Sequence, residues 1–240
     1  MNIVIDQGNT SAKVAIFDDK KMLSSFIFKT LRQESLLKLL LRFSPSKGIF
    51  SSVGEANPGI MDFLKSRVHP FIELNESISL PIQCQYKTPQ TLGNDRIAAA
   101  VGAYIQKPKR NILVIDAGTA ITYDFIDSEA QYWGGNISPG MTIRFKALHQ
   151  YTKRLPLLDE KGEFPPLGYD TETAIRSGVI SGIVREMDSY IAEYKKNYNV
   201  FTFLTGGHSF YFETKLKNSI FADGNLVLKG LNEILNYQYV

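Results

Sequence analysis

Residues 114–127 read VIDAGTAITYDFID, and residues 3–18 carry a second copy of the same pattern, IVIDQGNTSAKVAIFD. In each copy an apolar run ends in an aspartate, and a spacer residue, a glycine, small polar residues and a second apolar run follow. Aligning Asp6 with Asp116 also aligns the two glycines, and the copies lie about half a chain apart. A motif repeated at this spacing predicts two structurally similar halves.

Each copy predicts three successive strands joined by short loops. Its apolar runs are rich in β-branched residues, which is typical of buried strands, and apolar residues at helical spacing follow further along the chain. The predicted strands lie at 2–5, 12–17, 22–28, 47–53, 111–115, 121–126, 132–137 and 200–204, and the predicted helices at 33–43, 60–67, 97–106, 141–151, 171–196 and 225–236. Strands followed by helices, twice over, predict an α/β protein with two similar domains, residues 1–108 and 109–240.

The composition of the 240-residue chain is that of a globular protein, with 44% hydrophobic and 21% charged residues. The net charge is only +3, and the densest basic run, Lys107–Arg110, is typical of a solvated linker rather than a nucleic-acid site. Cys84 is the single cysteine, so an intramolecular disulfide and a cysteine metal site are excluded. No apolar run approaches a membrane span. We therefore expect a cytoplasmic protein that binds neither nucleic acid nor membranes.

The two glycine loops suit a polyphosphate ligand. Glycine next to hydroxyl and amide residues lets backbone N–H groups point at phosphate oxygens, and a strand-terminal aspartate can hold Mg²⁺. The alternative is that Asp-x-Gly is merely a turn signature. Because the motif occurs twice in the same strand–loop–strand setting, the sequence favours two phosphate loops.

The loops DQGNTSAK (6–13) and DAGTAITYD (116–124) resemble those of the superfamily that includes acetate and sugar kinases, heat-shock chaperones and actin. Four more segments occur in the order and spacing of one family in it, the type III pantothenate kinases: TLGNDR (91–96), GGNISPG (134–140), DTETAIRSG (170–178) and TGGHS (205–209). The resemblance covers the whole chain. It implies two ribonuclease H-like domains, each a mixed sheet that starts with a three-stranded antiparallel meander and is flanked by helices, with a ligand cleft between them. It also implies a homodimer that phosphorylates pantothenate to 4′-phosphopantothenate with ATP.

The segment Gly93-Asn94-Asp95-Arg96 precedes an alanine-rich helical pattern. On structural grounds alone, Asn94 or Asp95 would cap the helix, but an arginine in the first turn opposes the helix dipole and indicates another task. The resemblance implies that Asp95 is the general base and that Arg96 binds the carboxylate of pantothenate.

The substrate site implied by the resemblance consists of Tyr86, Gly93, Asn94, Asp95, Arg96 and Thr171. Tyr86 is equally explained as a half-buried strand residue, and Thr171 as the first residue of a helix capped by Asp170. In the family, Thr171 would reach the site of the partner subunit.

The resemblance implies that ATP contacts Asp6, Gly8, Asn9, Thr10, Lys13, Gly118, Thr119, Gly206 and Gly207, the last two beside the adenosine. Asp116 would hold a monovalent cation, K⁺ or NH₄⁺, and Asp6 would serve the Mg²⁺ side. The alternative for Lys13 is a solvated charge on a strand, and the alternative for the two glycines at 206–207 is a plain strand-to-helix turn. Asp124, within an apolar strand, is either exposed, paired with a cation or a functional carboxylate.

Two other functions stay open from the residues alone. One is a kinase of the same superfamily with another acceptor, and the other is a non-catalytic regulatory or accessory protein that kept the fold. The sequence has no G-x-x-x-x-G-K-[ST] motif, which excludes the P-loop kinases.

Overall fold

The computed structural model describes residues 1–54 and 57–239. Contacts divide the chain into two compact units. The first contains Met1–Arg110, Ile126–Gly134 and Asn225–Val240, and the second contains Asn111–Phe125 and Gly135–Gly224. Each unit contains strands and helices, so the predicted mixed α/β class is confirmed.

The strands are β1 (Asn2–Gln7), β2 (Ala12–Asp18), β3 (Lys21–Phe28), β4 (Lys47–Ser52), β5 (Phe71–Glu73), β6 (Gln83–Cys84), β7 (Ile112–Ala117), β8 (Ala120–Ile126), β9 (Gln131–Pro139), β10 (Phe201–Thr205) and β11 (Phe221–Ala222). The helices are α1 (Gln33–Phe43), α2 (Pro58–Lys65), α3 (Asn94–Gln106), α4 (Met141–Gln150), α5 (Thr171–Tyr198), α6 (Ser209–Glu213) and α7 (Leu226–Tyr237). All six predicted helices are present, while the short β5, β6, β11 and α6 were not predicted.

The sheet of the first unit has the order β3-β2-β1-β4-β5. Strands β1, β2 and β3 form the predicted antiparallel meander, and β4 runs parallel to β1 on its other side. The register pairs Asp6 with Lys13 on β2 and with Ser51 on β4. The loop aspartate therefore lies at the end of a buried strand, between a cation and a hydroxyl.

Helix α7 packs in the first unit, although its residues lie in the half of the sequence assigned to the second domain. Its Gly230 is so close to α3 that an added Cβ would lie 1.7 Å from the carbonyl oxygen of Ala98. The buried Asn2 of β1 donates a hydrogen bond to Asn232 of α7 (2.9 Å), and Asn232 donates to the Asp19 carbonyl (2.8 Å). The periodicity of α7 predicts a helix but cannot tell which sheet it covers.

The second sheet has the order β11-β10-β7-β8-β9-β6, and its first five strands repeat the arrangement of the first sheet. Only Gly118 and Thr119 separate β7 from its neighbour β8, and so short a connection joins antiparallel strands. Strand β10 runs parallel to β7 and pairs Thr205 with Asp116. The core of the second unit is formed by β7, β8, β10, α4 and α5.

Helix α5 is the longest helix, with 28 residues. It begins behind a capping box in which Asp170 accepts a hydrogen bond from the Thr173 amide at 2.8 Å, as predicted for Asp170. Within residues 1–54 and 57–239, no helix combines the length and the apolar character needed to cross a membrane.

Candidate functional site

The first glycine loop is a tight turn after β1. The Gly8 amide donates to the Ser11 carbonyl at 3.0 Å, which closes the loop on itself. Asn9 and Thr10 at its tip are exposed. Their polar groups are therefore accessible to a ligand, as a phosphate-binding loop requires.

Asp6 supplies the carboxylate of this loop, and its pKa is shifted from the ordinary value. Burial of its side chain and the nearby Asp95 carboxylate raise its pKa to about 6, while Lys13 opposes the shift. Its Oδ1 is buried and has no hydrogen-bond partner among the described residues. An unpaired buried carboxylate oxygen beside a second carboxylate is unfavourable unless a cation or donor joins it, so the site fits Mg²⁺.

A cation at Asp6 would need ligands other than His, Cys, Asp and Glu side chains alone. Within the part of the chain that the structure describes, no group of three or more His, Cys, Asp or Glu side chains could hold a metal ion. Mg²⁺ is commonly held by one or two carboxylates together with water and the phosphates of a substrate. The carboxylates of Asp6 and Asp95 match that arrangement.

Helix α3 is not capped by Asn94 or Asp95. Its N-cap is Gly93, and no side chain caps it, so the expectation of an Asn94 or Asp95 cap was wrong. Asn94 instead donates to the Leu74 carbonyl at 2.9 Å, and Asp95 Oδ1 accepts a hydrogen bond from the Arg96 amide at 2.9 Å. A Cβ on Gly93 would lie 2.4 Å from Asp95 Oδ1, so a larger residue would push this carboxylate out of its present position.

Arg96 and Tyr86 are brought together in the first unit. The buried Arg96 places its guanidinium carbon 5.7 Å from the centroid of the Tyr86 ring, within the range of a cation–π contact. Gly134 also lies against the ring. It has φ +94°, and its added Cβ would lie 2.5 Å from Tyr86 Cδ2. Sequence reasoning assigned no role to Gly134, although the GGNISPG segment contains it.

A cavity of about 360 Å³ opens beside the start of α3, also within the first unit. Gly93 and Asn94 line it, together with Ser52, Val53, Leu74 and Ile97. This volume lies in the range of pockets that hold small molecules.

The second glycine loop is held by the turn between β9 and α4. The Gly118 amide donates to the Ala120 carbonyl at 3.0 Å and leaves Thr119 exposed at the tip. The Gly140 amide donates to the Thr119 carbonyl at 3.1 Å, and a Cβ on Gly140 would lie 2.3 Å from that oxygen. Gly140 is a second residue of the GGNISPG segment to which sequence reasoning gave no role.

Asp116 lies against the glycines that follow β10. Gly206 has φ +95°, and an added Cβ would lie 2.4 Å from Asp116 Oδ1. The amide of His208 donates to the Ala117 carbonyl at 3.0 Å, while Gly207 is exposed and has open space around its Cα. The structure therefore joins these two predicted glycines to the second loop, and glycine is needed at 206 on steric grounds.

Asp124 is 1% exposed, so the exposed alternative for this residue was wrong. Burial raises the pKa of Tyr194 on α5, and the charge of Asp124 is the last of several smaller contributions to that rise.

Thr171 lies at the exposed start of α5, at one end of an apolar groove between α4 and α5. The groove has a volume of about 740 Å³ and is lined mainly by Ala147, Leu148, Leu155, Ala174, Ile175, Gly178 and Val179. Among the described residues that line it, Thr171 is the only member of the predicted substrate site.

Comparison with known proteins places the chain in one family. The family model of type III pantothenate kinases matches residues 2–193. A relative named type III pantothenate kinase from Azobacteroides pseudotrichonymphae is 50% identical over 99% of this chain and 97% of its own length. Another of the same name, from Flavobacterium johnsoniae, is 41% identical over 100% of this chain and 98% of its own length.

Solved structures agree on the fold. The ROK hexokinase from Thermus thermophilus is 12% identical, with a TM-score of 0.57 and 99% of each chain covered. Component A of the (R)-2-hydroxyglutaryl-CoA dehydratase from Acidaminococcus fermentans is 14% identical, with a TM-score of 0.54 and 98% of this chain and 96% of that chain covered. This chain thus has the two-domain, actin-like fold of sugar kinases.

Proposed function

The chain belongs to the type III pantothenate kinase family, and we propose that it transfers the γ-phosphoryl group of ATP to the terminal hydroxyl of pantothenate, the first step of coenzyme A biosynthesis. The observation that carries the proposal is the pairing of Asp6 with Asp95 in a chain of this family. Two neighbouring carboxylates, one with a pKa raised to about 6 by burial and by the other, suit a site that holds a cation and moves a proton.

Asp95 is the proposed general base. The substrate hydroxyl attacks the γ-phosphorus in line, its proton passes to the Asp95 carboxylate, and the bond between the γ-phosphorus and the bridging oxygen of ADP breaks. The hydrogen bond from the Arg96 amide to Oδ1 orients this carboxylate, and Gly93 leaves it room. Both features favour positioning, which is the main contribution of a protein to phosphoryl transfer.

Arg96 and Tyr86 are the proposed anchors of pantothenate. A guanidinium group binds a carboxylate with two parallel hydrogen bonds, and burial strengthens the attraction. The Tyr86 ring restricts the guanidinium from one side and is itself backed by Gly134. Gly93 and Asn94 complete this proposed site.

The first loop is the proposed partner of Mg²⁺ and of ATP phosphates. Asp6 would hold the ion, whose charge, when bound, offsets the negative charge of the triphosphate. Gly8, Asn9 and Thr10 offer backbone and side-chain donors at the exposed tip of the loop, and Lys13 adds a positive charge opposite Asp6.

The second loop is the proposed site of further ATP contacts and of a monovalent cation. Gly118 and the exposed Thr119 would contact phosphate, and Gly206 and Gly207 would lie beside the adenosine. Asp116 would hold K⁺ or NH₄⁺, since a carboxylate oxygen is a ligand that hard cations prefer.

A homodimer is also part of the proposal. The groove between α4 and α5 is apolar, and Gly178 has no atom within 4 Å of its added Cβ, so a second copy can approach closely. Covering the groove would bury Thr171, which this family would use at the partner's site.

We place the enzyme in the cytoplasm, where its phosphoryl donor ATP is made and used.

Mass-spectrometric detection of 4′-phosphopantothenate tests the function. The full-length protein is incubated with pantothenate, ATP and Mg²⁺, in K⁺ or in Na⁺, beside Asp95→Asn and the control Asp62→Asn, which changes an exposed carboxylate on α2. We expect K⁺-dependent product from the wild type and the control only. Product from Asp95→Asn would remove Asp95 from its role. No product from folded wild-type protein would overturn the assignment and favour another acceptor or a regulatory protein.

A further inference from the structure

A polar cluster in the second unit contains none of the residues that the proposed function assigns to catalysis, ATP or pantothenate, although its Arg144 also lines the groove between α4 and α5. Glu186, on α5, accepts hydrogen bonds at Oε1 from the Tyr123 hydroxyl (2.8 Å) and the Ser138 hydroxyl (2.5 Å). Its Oε2 accepts from the Arg144 guanidinium at 2.5 Å. Arg144 in turn donates from Nε to the Pro139 carbonyl at 2.8 Å. One carboxylate thus joins α5, β8, the end of β9 and α4.

The cluster is charged and partly shielded from water. The side chains of Glu186 and Arg144 are 25% and 22% exposed, and Tyr123 is fully buried. Burial opposes ionisation of Glu186, but the hydrogen bonds from Ser138, Arg144 and Tyr123 outweigh it, so its pKa is lowered. Charge-assisted hydrogen bonds of this kind are short and directional, and several on one group restrict its position.

The cluster acts on Ser138, Pro139 and Gly140, where the last two residues of β9 turn into the start of α4. It binds the first of these residues through its hydroxyl and the second through its carbonyl. The third, Gly140, is joined to α4, because its carbonyl accepts a hydrogen bond from the Arg144 amide at 3.0 Å. Side-chain and backbone groups of Arg144 therefore hold both ends of a turn that contains a proline and a glycine.

The turn carries the backbone of the second glycine loop. The Gly140 amide donates to the Thr119 carbonyl at 3.1 Å, and an added Cβ at Gly140 would lie 2.4 Å from the Gly118 carbonyl oxygen. The two backbone segments are thus too close to admit a side chain between them, and a hydrogen bond joins them directly. A displacement of the turn must therefore displace the loop or break the hydrogen bond to it.

We infer that Glu186 and Arg144 are positioning residues for the second phosphate loop, which they hold in place through the Ser138–Gly140 turn. The inference rests on the proposed function for the role of Thr119, but the mechanical link between cluster and loop is independent of it. Neither side chain needs to touch ATP. Their effect on the reaction is to keep the loop in the geometry that receives a phosphate group.

Hydrogen exchange in the free protein tests the mechanical link. Wild type is compared with Glu186→Ala and with Asp188→Ala, a matched control two residues along α5. Asp188 accepts hydrogen bonds from the Lys217 and Asn218 amides (both 3.1 Å), so its loss weakens the same unit elsewhere. We expect the Gly140 amide to exchange at least about tenfold faster in Glu186→Ala and to be unchanged in Asp188→Ala, because local opening depends on local contacts.

Steady-state kinetics test the consequence. In Glu186→Ala we expect KM for ATP to rise on the order of tenfold, with KM for pantothenate within about twofold, since one loop is displaced. Glu186→Gln keeps the acceptor for Tyr123 and Ser138 but loses the charge that pairs with Arg144. It is expected to lie between wild type and Glu186→Ala. It also serves as the test variant if Glu186→Ala does not fold.

The outcomes separate this inference from the proposed function. Equal exchange and equal KM for ATP in wild type and Glu186→Ala, or identical changes in Asp188→Ala, would overturn the positioning role. If the wild type forms no phosphopantothenate but Gly140 exchange still separates the two variants, the proposed function fails and the mechanical link stands. Calorimetric titration with ATP then decides whether the loop binds nucleotide at all.

Discussion

The carboxylate of Asp95, at the start of α3, raises the pKa of Asp6, at the end of β1. The two residues are distant in sequence, and the fold brings their charges together in one unit. Because the Asp95 charge disfavours ionisation of Asp6, removal of Asp95 changes the titration of Asp6.

Replacing Asp95 with Asn is therefore expected to change two properties at once. Loss of the proposed base lowers kcat by roughly 10²- to 10⁴-fold. Loss of its negative charge lowers the pKa of Asp6, although burial keeps it above the ordinary value. Carboxyl-carbon NMR titration of the variant measures the second effect without turnover. An unchanged Asp6 titration would show that the two charges do not interact.

Asp6 is expected to lower stability at neutral pH. Its pKa is 3.8 ordinarily and about 6 in the folded protein, so between these values the folded state binds more protons than the unfolded state. Stability therefore falls as pH rises from about 4 to about 6 and stays lower above.

The Asp6→Asn variant, which has no titrating group, is expected to be more stable than wild type at pH 8 by on the order of 2 kcal/mol. Urea unfolding of both proteins at pH 5 and pH 8 measures the difference. Parallel pH dependences of the two proteins would contradict the raised pKa. Added Mg²⁺ is expected to stabilise only the wild type.

Gly134→Ala is expected to damage pantothenate binding. The residue has φ +94°, and its new Cβ would push on the Tyr86 ring, which contacts Arg96. We expect a loss of stability of about 1–3 kcal/mol and a rise in KM for pantothenate of roughly tenfold, with a smaller change for ATP.

Gly182→Ala is the matched control for Gly134→Ala, because Gly182 lies in a helix and has room for a methyl group. Outside its own helix, the nearest neighbour of its added Cβ is the end of the Arg144 side chain, at 4.0 Å. It is expected to keep wild-type kinetics and to be slightly more stable. Equal KM values for pantothenate in the two variants would argue against a role of the Tyr86–Arg96 contact.

Gly178→Arg tests the dimer. The position is exposed and open, so the arginine fits a single copy, but it blocks close approach of a second copy to the groove. Light scattering coupled to gel filtration is expected to show a dimer for wild type and a monomer for the variant. Glu213→Arg, at an exposed site on α6, is expected to remain dimeric. A monomeric wild type, or a dimeric Gly178→Arg, would refute the proposed interface.

Asn232→Ala is expected to destabilise the first unit. The side chain is 2% exposed and links Asn2 of β1 to the Asp19 carbonyl, so its loss removes two hydrogen bonds and leaves a small void in a buried position. We expect a decrease of about 1–3 kcal/mol in the free energy of unfolding. Gln238→Ala removes an exposed hydrogen bond to the Ser79 carbonyl from the end of the same chain segment. It is expected to change the free energy of unfolding by less than about 0.5 kcal/mol. Similar losses in both variants would show that burial of the amide is not the cause.

Much of the fold was predictable because its signals are local. Alternation of apolar residues, polar turns and glycine after a strand-terminal aspartate specify each meander within about 25 residues of sequence. Asp6 and Asp116 were therefore placed correctly at the ends of β1 and β7. The Asp170 cap was predictable for the same reason, since a capping box involves residues within one helical turn.

The sequence by itself thus determined the repeated strand–loop–strand units, the positions of the two glycine loops and the helices that follow them. Only the tertiary structure decided that α7 packs on α3, that Gly134 backs Tyr86, and that Glu186 connects Tyr123 and Arg144 to the Gly140 turn. Each of these contacts joins residues far apart in the chain. Their partners are chosen by shape and by the need to pair buried polar groups, and neither leaves a periodic pattern in the sequence.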